Sequence, residues 1–360
     1  CAPYIQNFPL LVKITDPDLA SKARADGFDI VFRGTDDNVC GGANTSPCGL
    51  YHEVERWNSS TGELIAWIRV PRLYSAADNT IYMYYGNSNV RVQTENAGAV
   101  WDNNNYVVVQ HMDGDTYTAL VDSTLNGNNV TVEVGDPSYQ AGGHIGYGVE
   151  FDGTDAVEIA DPGAGSTLDI TSQVTVSAWI RPAAITAWNR IVAKSHTADV
   201  SPWTMYGLLF DNGSHLREEI SSGGAQSGAN GTTVIPTDGS WTFATVTYNH
   251  SELRIYFNGS AEGTPTNLNT DIDTNDMPLS IGRSGFDSDY FTGRVDEVRV
   301  SSIARDACWI GTEYSNQSDP GDIGTPGFYT IYPEQGGPAT AGDLVSFTAK
   351  GQSSSALVEW

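Results

Sequence analysis

Four carboxylates fall within nine residues of the stretch "GVEFDGTDAVEIADP": Glu150, Asp152, Asp155 and Glu158. Such a grouping has two chemical uses. Two carboxyls held about 5 to 5.5 Å apart, one with a raised pKa, cleave glycosides with retention. Carboxylates that converge with backbone carbonyls hold a hard cation such as calcium, which takes about 6 to 8 oxygens. Hydrolysis fits the spacing poorly. Gly153 ends or bends the strand between Asp152 and Asp155, and no run of sugar-stacking tryptophans adjoins the acids. The plain alternative is a strand with a polar outer face followed by a turn, and no catalytic residue is expected.

Other chemistries have less to stand on. The six histidines, His52, His111, His144, His196, His215 and His250, lie in unrelated contexts, and no G-x-S-x-G elbow accompanies them. The glycine-rich "SSGGAQSGANG" lacks the lysine of a phosphate loop. Asp271, Asp273 and Asp276 have calcium-loop spacing without the glycine and closing glutamate of an EF-hand, so a solvated loop is expected. Loop aromatics are the candidates for stacking on sugar rings: Trp188, Trp203, Tyr206, Phe286 and Tyr290. Trp179 and Trp241 read as core.

The elements that must position these groups read as strands. "FPLLVKI", "DIVFRG", "YHEVERWN", "ELIAWIRVP" and "TIYMYYG" are short β-branched and aromatic runs between Gly, Asp, Asn and Pro turns. In "ELIAWIRV", alternation places Leu64, Ala66, Ile68 and Val70 on one face and Ile65, Trp67 and Arg69 on the other. A second series, "VTVSAWIRP", "NRIVAKS", "MYGLLFDNG", "WTFATVTYN", "ELRIYFNG", "PLSIGRS" and "GRVDEVRVS", has the rhythm of a two-sheet sandwich. The expected class is all-β, as tandem antiparallel β-sandwiches. Residues 1–95 form a small sandwich, 96–140 a connecting region, 141–322 a jelly roll and 327–360 an incomplete module.

The chain has 360 residues and a net charge of −26, from 44 acidic against 18 basic residues. That field repels nucleic acid and anionic membrane surface, and no segment is apolar enough to span a membrane. Cys40 and Cys48 flank a short Gly/Asn/Ser/Pro loop and suit a disulfide. Cys1 would then pair with Cys308; the alternative is a lipidated Cys1. Two disulfides imply an oxidising, extracellular or cell-surface location. N-x-S/T sequons at Asn44, Asn58, Asn129, Asn212, Asn230, Asn249, Asn258 and Asn316 are either glycosylation sites or a product of composition.

Several stretches resemble known families. "NFPLLVKI", "HEVERWN", "WIRVP" and "IYMYYGN" resemble a domain of unknown function found in prokaryotic surface proteins, which carries no established activity. "VEFDGTDAVEI", "VSAWIRP", "WTFATVTYNHSELRIYFNG" and "FTGRVDEVRV" resemble laminin-G-like, concanavalin-A-like modules. "FYTIYPEQGGPATAGDLVSFTAK" is similar to the opening of a polycystic-kidney-disease-type Ig-like module, and implies that the residues are part of a longer protein. The concanavalin-A-like resemblance implies that the first and last strands run close together. Asp152 and Asp296 would then share a calcium ion, with Asp155 a weaker third ligand. It also implies a non-catalytic recognition or adhesion module binding glycan or a surface or matrix protein, beside neighbouring domains of the same chain. The alternatives are a structural stalk or filament subunit whose C-terminal strands pair with a neighbouring subunit and, distantly, a glycoside hydrolase.

Overall fold

A computed structural model of the chain describes residues 3–34, 37–42, 47–197, 201–285, 289–335 and 343–349. The fold is all-β, with sheets that are antiparallel throughout the strand pairings described below. The chain divides into two units, one of residues 1–104 with 311–360 and one of residues 105–310.

The first unit begins with β1 (Tyr4–Thr15), β2 (Val31–Gly34), β3 (Cys48–Leu50), β4 (His52–Asn58), β5 (Glu63–Tyr74) and β6 (Asn79–Tyr85). The second supplies β7 (Tyr106–Gln110), β8 (Val130–Val134), β9 (Ser138–Gly142), β10 (Tyr147–Asp152), β11 (Ala156–Ile159), β12 (Val174–Ala184), β13 (Arg190–Ser195) and β14 (Thr204–Phe210). It continues through β15 (His215–Ser222), β16 (Ala225–Val234), β17 (Thr242–Tyr248), β18 (Glu252–Phe257), β19 (Ser260–Asn267), β20 (Leu279–Ile281) and β21 (Thr292–Ser301). The chain then returns to the first unit, which ends with β22 (Tyr329–Gln335) and β23 (Asp343–Ala349).

In the first unit a three-stranded sheet, β1-β5-β4, accompanies a five-stranded one, β22-β23-β6-β2-β3. β5 lies between two neighbours and is covered on both faces: Leu64, Ile65, Ala66, Trp67 and Ile68 are all fully buried. The alternation read from the sequence therefore separates two buried faces here, and not an inside from an outside. The segment read as the opening of a separate Ig-like module behaves otherwise in its described strands. β23 pairs with β6 along its whole length, from Asp343↔Tyr85 to Ala349↔Asn79. Tyr329 of β22 is buried, and its hydroxyl accepts the Lys13 N–H (2.8 Å) and donates to the Lys13 carbonyl (3.2 Å). Free sheet edges seek partners; this edge of β6 finds one within its own chain. Cys40 and Cys48 are disulfide-bonded. Cys308 is also disulfide-bonded, while its expected partner Cys1 lies outside the described residues.

In the second unit an eight-stranded sheet, β19-β18-β17-β12-β21-β10-β9 with β7 paired to β21, packs on a seven-stranded one, β16-β15-β14-β13-β20-β11-β8. One apolar core fills the space between them, with Val149, Val176, Leu208, Val246, Ile281 and Val295 fully buried. The region read as a connector, residues 96–140, contributes β7, β8 and the start of β9 to these sheets. Its sequence carries little apolar alternation because β8 and β9 are edge strands, each with several exposed positions.

Candidate functional site

Pairing across the seven-stranded sheet sets which side chains share its outer face. Val157, Ile281, Val192 and Leu208 point into the core, so the intervening positions point out. One outer row runs Glu158, Ser280, Ala193, Gly207, Glu219, Gly228. The next runs Arg190, Leu209, Arg217, Asn230.

The polar members of these rows are tightly connected. Glu219 receives the Arg190 guanidinium on one oxygen (2.9 Å) and the Arg217 guanidinium on the other (2.9 Å). Its side chain and that of Arg190 are only 4% and 3% exposed, so the ion pair is shielded from water and each partner holds the other. Arg217 also donates to Asn230 Oδ1 (2.6 Å), and its guanidinium lies 5.5 Å from the centre of the Trp188 ring. Trp188 remains 38% exposed. It sits in the turn between β12 and β13 with φ of +70°, a strained backbone for an aromatic residue. Asn189 fixes that turn: its side-chain oxygen accepts the Thr186 N–H (2.7 Å), and its amide donates to the Tyr290 carbonyl (2.6 Å). At the other end of the face, Glu158 Oε1 takes two bonds from Arg283, which also donates to the Tyr290 hydroxyl (3.1 Å). Burial alone would lower the Arg283 pKa; the bonds and charge of Glu158, with help from Tyr290, outweigh it and hold the pKa raised.

Trp188, Trp203 and Tyr290, expected from sequence as ligand contacts, are all at least partly exposed. Tyr206 is not: it lies in the core at 1% exposure, and its hydroxyl donates to the Leu168 carbonyl (3.0 Å). The even positions of β14 face inward, which turns Tyr206 away from any ligand. Phe286 lies outside the described residues. Arg190, Arg217, Glu219, Glu158 and Arg283 were not singled out by sequence reasoning. One signal was present, because "HLREEISS" places Arg217 and Glu219 two apart on the same strand face.

The expected calcium ligands do not converge. Asp152 stands opposite Thr292, whereas Asp296 lies four residues further along β21, beside Gly148. That separation is roughly 13 Å at the rise of a strand, too far for one ion. Each carboxylate instead serves local backbone. Asp152 caps its own turn through the Thr154 N–H and hydroxyl (2.8 and 2.7 Å). Buried Asp155 accepts the N–H groups of Asp136 and Asp152 (2.8 and 3.0 Å). Buried Asp296 accepts those of His144 and Ile145 (2.8 Å each), which seats the His144 ring 3.6 Å from Trp179. A Cβ at Gly143 would come within 2.7 Å of the Asp296 carboxylate, so this turn needs glycine there. Among the described residues, no cluster of three or more metal-ligating side chains includes these aspartates.

Of the sequons, Asn129, Asn212, Asn230 and Asn249 are exposed and Asn58 and Asn258 partly so; Asn44 lies outside the described residues. Asn316 departs from the expectation of a glycosylation site. It is buried at 1% exposure, and its amide accepts the Leu11 N–H (2.7 Å) and donates to the Leu11 carbonyl (3.1 Å), leaving no place for a glycan.

Residues 151–311 match the concanavalin A-like lectin/glucanases superfamily. Residues 40–139 match a domain of unknown function, DUF2341. No curated protein matches the chain. Among solved structures, the chain is similar to the binding domain of Paraclostridial Mosquitocidal Protein 1, at 14% identity and a TM-score of 0.47, covering 63% of this chain and 58% of that one. Domain 4 of a GH43 extracellular arabinanase from Geobacillus stearothermophilus, solved with arabinotriose, is similar at 20% identity and a TM-score of 0.44, covering 57% and 96%. The binding domain of Botulinum Neurotoxin DC, solved in complex with SialylT, is similar at 12% identity and a TM-score of 0.43, covering 60% and 52%. The chain thus spans little more than half the length of these toxin domains. No helix among the described residues is long and apolar enough to cross a membrane.

Proposed function

We propose that the second unit is a non-catalytic recognition module that binds glycan on the outer face of its seven-stranded sheet. One observation carries this reading: a half-exposed indole, Trp188, stands beside a guanidinium, Arg217, that is fixed on two sides by Glu219 and Asn230. Aromatic faces stack on the C–H face of a pyranose, and planar, pre-oriented donors and amides bind its hydroxyls at little cost in ordering. The strained Trp188 backbone is the kind of local cost that a binding role explains.

The same face argues against hydrolysis. Glu158 and Glu219, the carboxylates of its first row, stand four strand spacings apart, or roughly 19 Å. Paired glycosidase acids stand about 5 to 9.5 Å apart. Near the opening motif, Glu150 is held by Arg294 (3.0 Å) and Asp155 is buried in its turn. Placement at an extracellular or cell surface, as part of an adhesion protein, accords with the disulfides and the acidic surface. A glycan array on the intact chain tests the proposal. Trp188→Ala should abolish binding while Tyr206→Phe leaves it intact. Equal binding by both variants, or none by the unaltered protein to any glycan, would refute it.

A further inference from the structure

The first unit holds a cleft of about 210 Å3 lined by Asp26, Phe28, His52, Trp57, Thr94 and Glu95. It is built by packing that has no slack. Gly27 has φ of +69°, and a Cβ there would come within 2.9 Å of the Trp57 ring. The Trp57 indole N–H is spent on the carbonyls of Arg24 and Ala25 (3.2 Å each). The Thr94 hydroxyl directs its single proton between the carbonyls of Phe28 and Ile30 (3.0 and 2.9 Å). Gln93, which also lines the cleft, turns its amide N–H onto Glu95. No Lys or Arg is among the lining residues.

What faces the cleft is therefore a set of acceptors. His52 is 3% exposed and its Nε2 has no hydrogen-bond partner. Burial lowers its pKa, outweighing hydrogen bonds to the backbone of Leu50 and Ile30, so the ring is neutral. A neutral imidazole that donates toward the backbone through one nitrogen offers the other as an acceptor. Asp26 is neutralised by Arg24 (2.9 and 2.6 Å). Glu95 has no such cation. It accepts the Val54 N–H (2.7 Å), and burial, with the charge of Glu53, raises its pKa. Of these acceptors His52 Nε2 is the buried one without a donor, and such an atom costs free energy that a ligand can recover.

We propose that this cleft is a binding site for a primary ammonium group on a short alkyl chain, such as a lysine side chain. Three features match that ligand. An ammonium is donor-only and meets only acceptors at His52, Thr94 and Glu95. Its charge offsets that of Glu95. The rings of Trp57 and Phe28 receive the cation and the adjoining methylenes.

The test uses the intact chain and follows the Trp57 indole N–H resonance, assigned with Trp57→Phe, as Nα-acetyl-lysine methylamide is added. A saturable shift is expected, and its Nε-acetylated, uncharged counterpart should cause none. Glu95→Gln keeps an oxygen for the Val54 N–H and should weaken binding about tenfold. Glu95→Asp keeps the charge and should retain binding within a few-fold, so loss of charge is separable from misfolding. The proposal fails if the ammonium compound causes no saturable shift, if the neutral counterpart or a methyl glucoside shifts the resonance equally, or if Glu95→Gln binds as the unaltered protein does.

Discussion

Replacing Glu218 with Gln should change how the stability of the second unit depends on pH. Glu218 lies on the inner face of β15, in a row with Leu208 and Ala229. It is completely buried, and neither carboxyl oxygen has a hydrogen-bond partner. Burial drives its pKa well above the ordinary 4.5 and outweighs the Arg254 backbone, which acts the other way. The folded protein thus keeps the proton at pH values where the unfolded chain has lost it. Stability from this group is complete below the unfolded pKa and declines as pH rises toward the folded pKa. Each pH unit in that window weakens folding tenfold, or about 1.4 kcal/mol. Glu218→Gln removes the proton from the balance. Near pH 4.5 the two proteins should differ by about 1 kcal/mol or less, since both bury an uncharged polar group. Above it, the variant should gain by about 1.4 kcal/mol per unit until the folded pKa is reached. Urea unfolding across a pH series, read by hydrogen exchange at the amides of β15, measures this difference. Parallel pH curves for the two proteins would show that the carboxyl is solvated or paired, and would refute the reasoning.

Three further outcomes follow from the geometry. Lys194, buried, donates to Asp161 (2.5 Å) and to the Asn275 carbonyl; Lys194→Met strands the Asp161 charge and should cost about 3–5 kcal/mol in denaturant unfolding. Asn316→Ala leaves the buried N–H and carbonyl of Leu11 unpaired and should destabilise the first unit by about 2–4 kcal/mol, seen as a lower melting temperature. Reducing the Cys40–Cys48 bridge, which closes a loop of sequence separation 8, should cost about 2.5 kcal/mol by loop entropy, measured by unfolding with and without reductant.

The sandwich architecture was legible because it rests on local signals. The strands quoted from the second half reappear as β12, β13, β14, β17, β18, β20 and β21, since period-two alternation and Asn-Gly turns are written in neighbouring residues. The Cys40–Cys48 bridge was legible for the same reason. Register was not. Asp152 and Asp296 were paired because their strands adjoin, which they do, but the alignment slips them four positions apart. The cluster of Arg190, Arg217 and Glu219 joins strands through pairings that no local pattern encodes. Tyr206 and Trp188 look alike as sequence, and only the facing of a strand or the tip of a turn separates core from surface. Glu218 shows the converse: alternation sets it on the same face as Leu216 and Ile220, and the fold buries it there despite its charge. The final strands were read as a separate module because their text matched one, whereas the edge of β6 supplied a partner.

The return of the chain to its first unit has a mechanical consequence. Residues before Asn104 and after Gly311 belong to one folded body, with β7 and β21 paired where the chain departs and comes back. Tension applied upstream of β1 and downstream of β23 therefore pulls first on the β23–β6 and β1–β5 ladders. The second unit, inserted between residues 104 and 311, stays unloaded until those ladders tear.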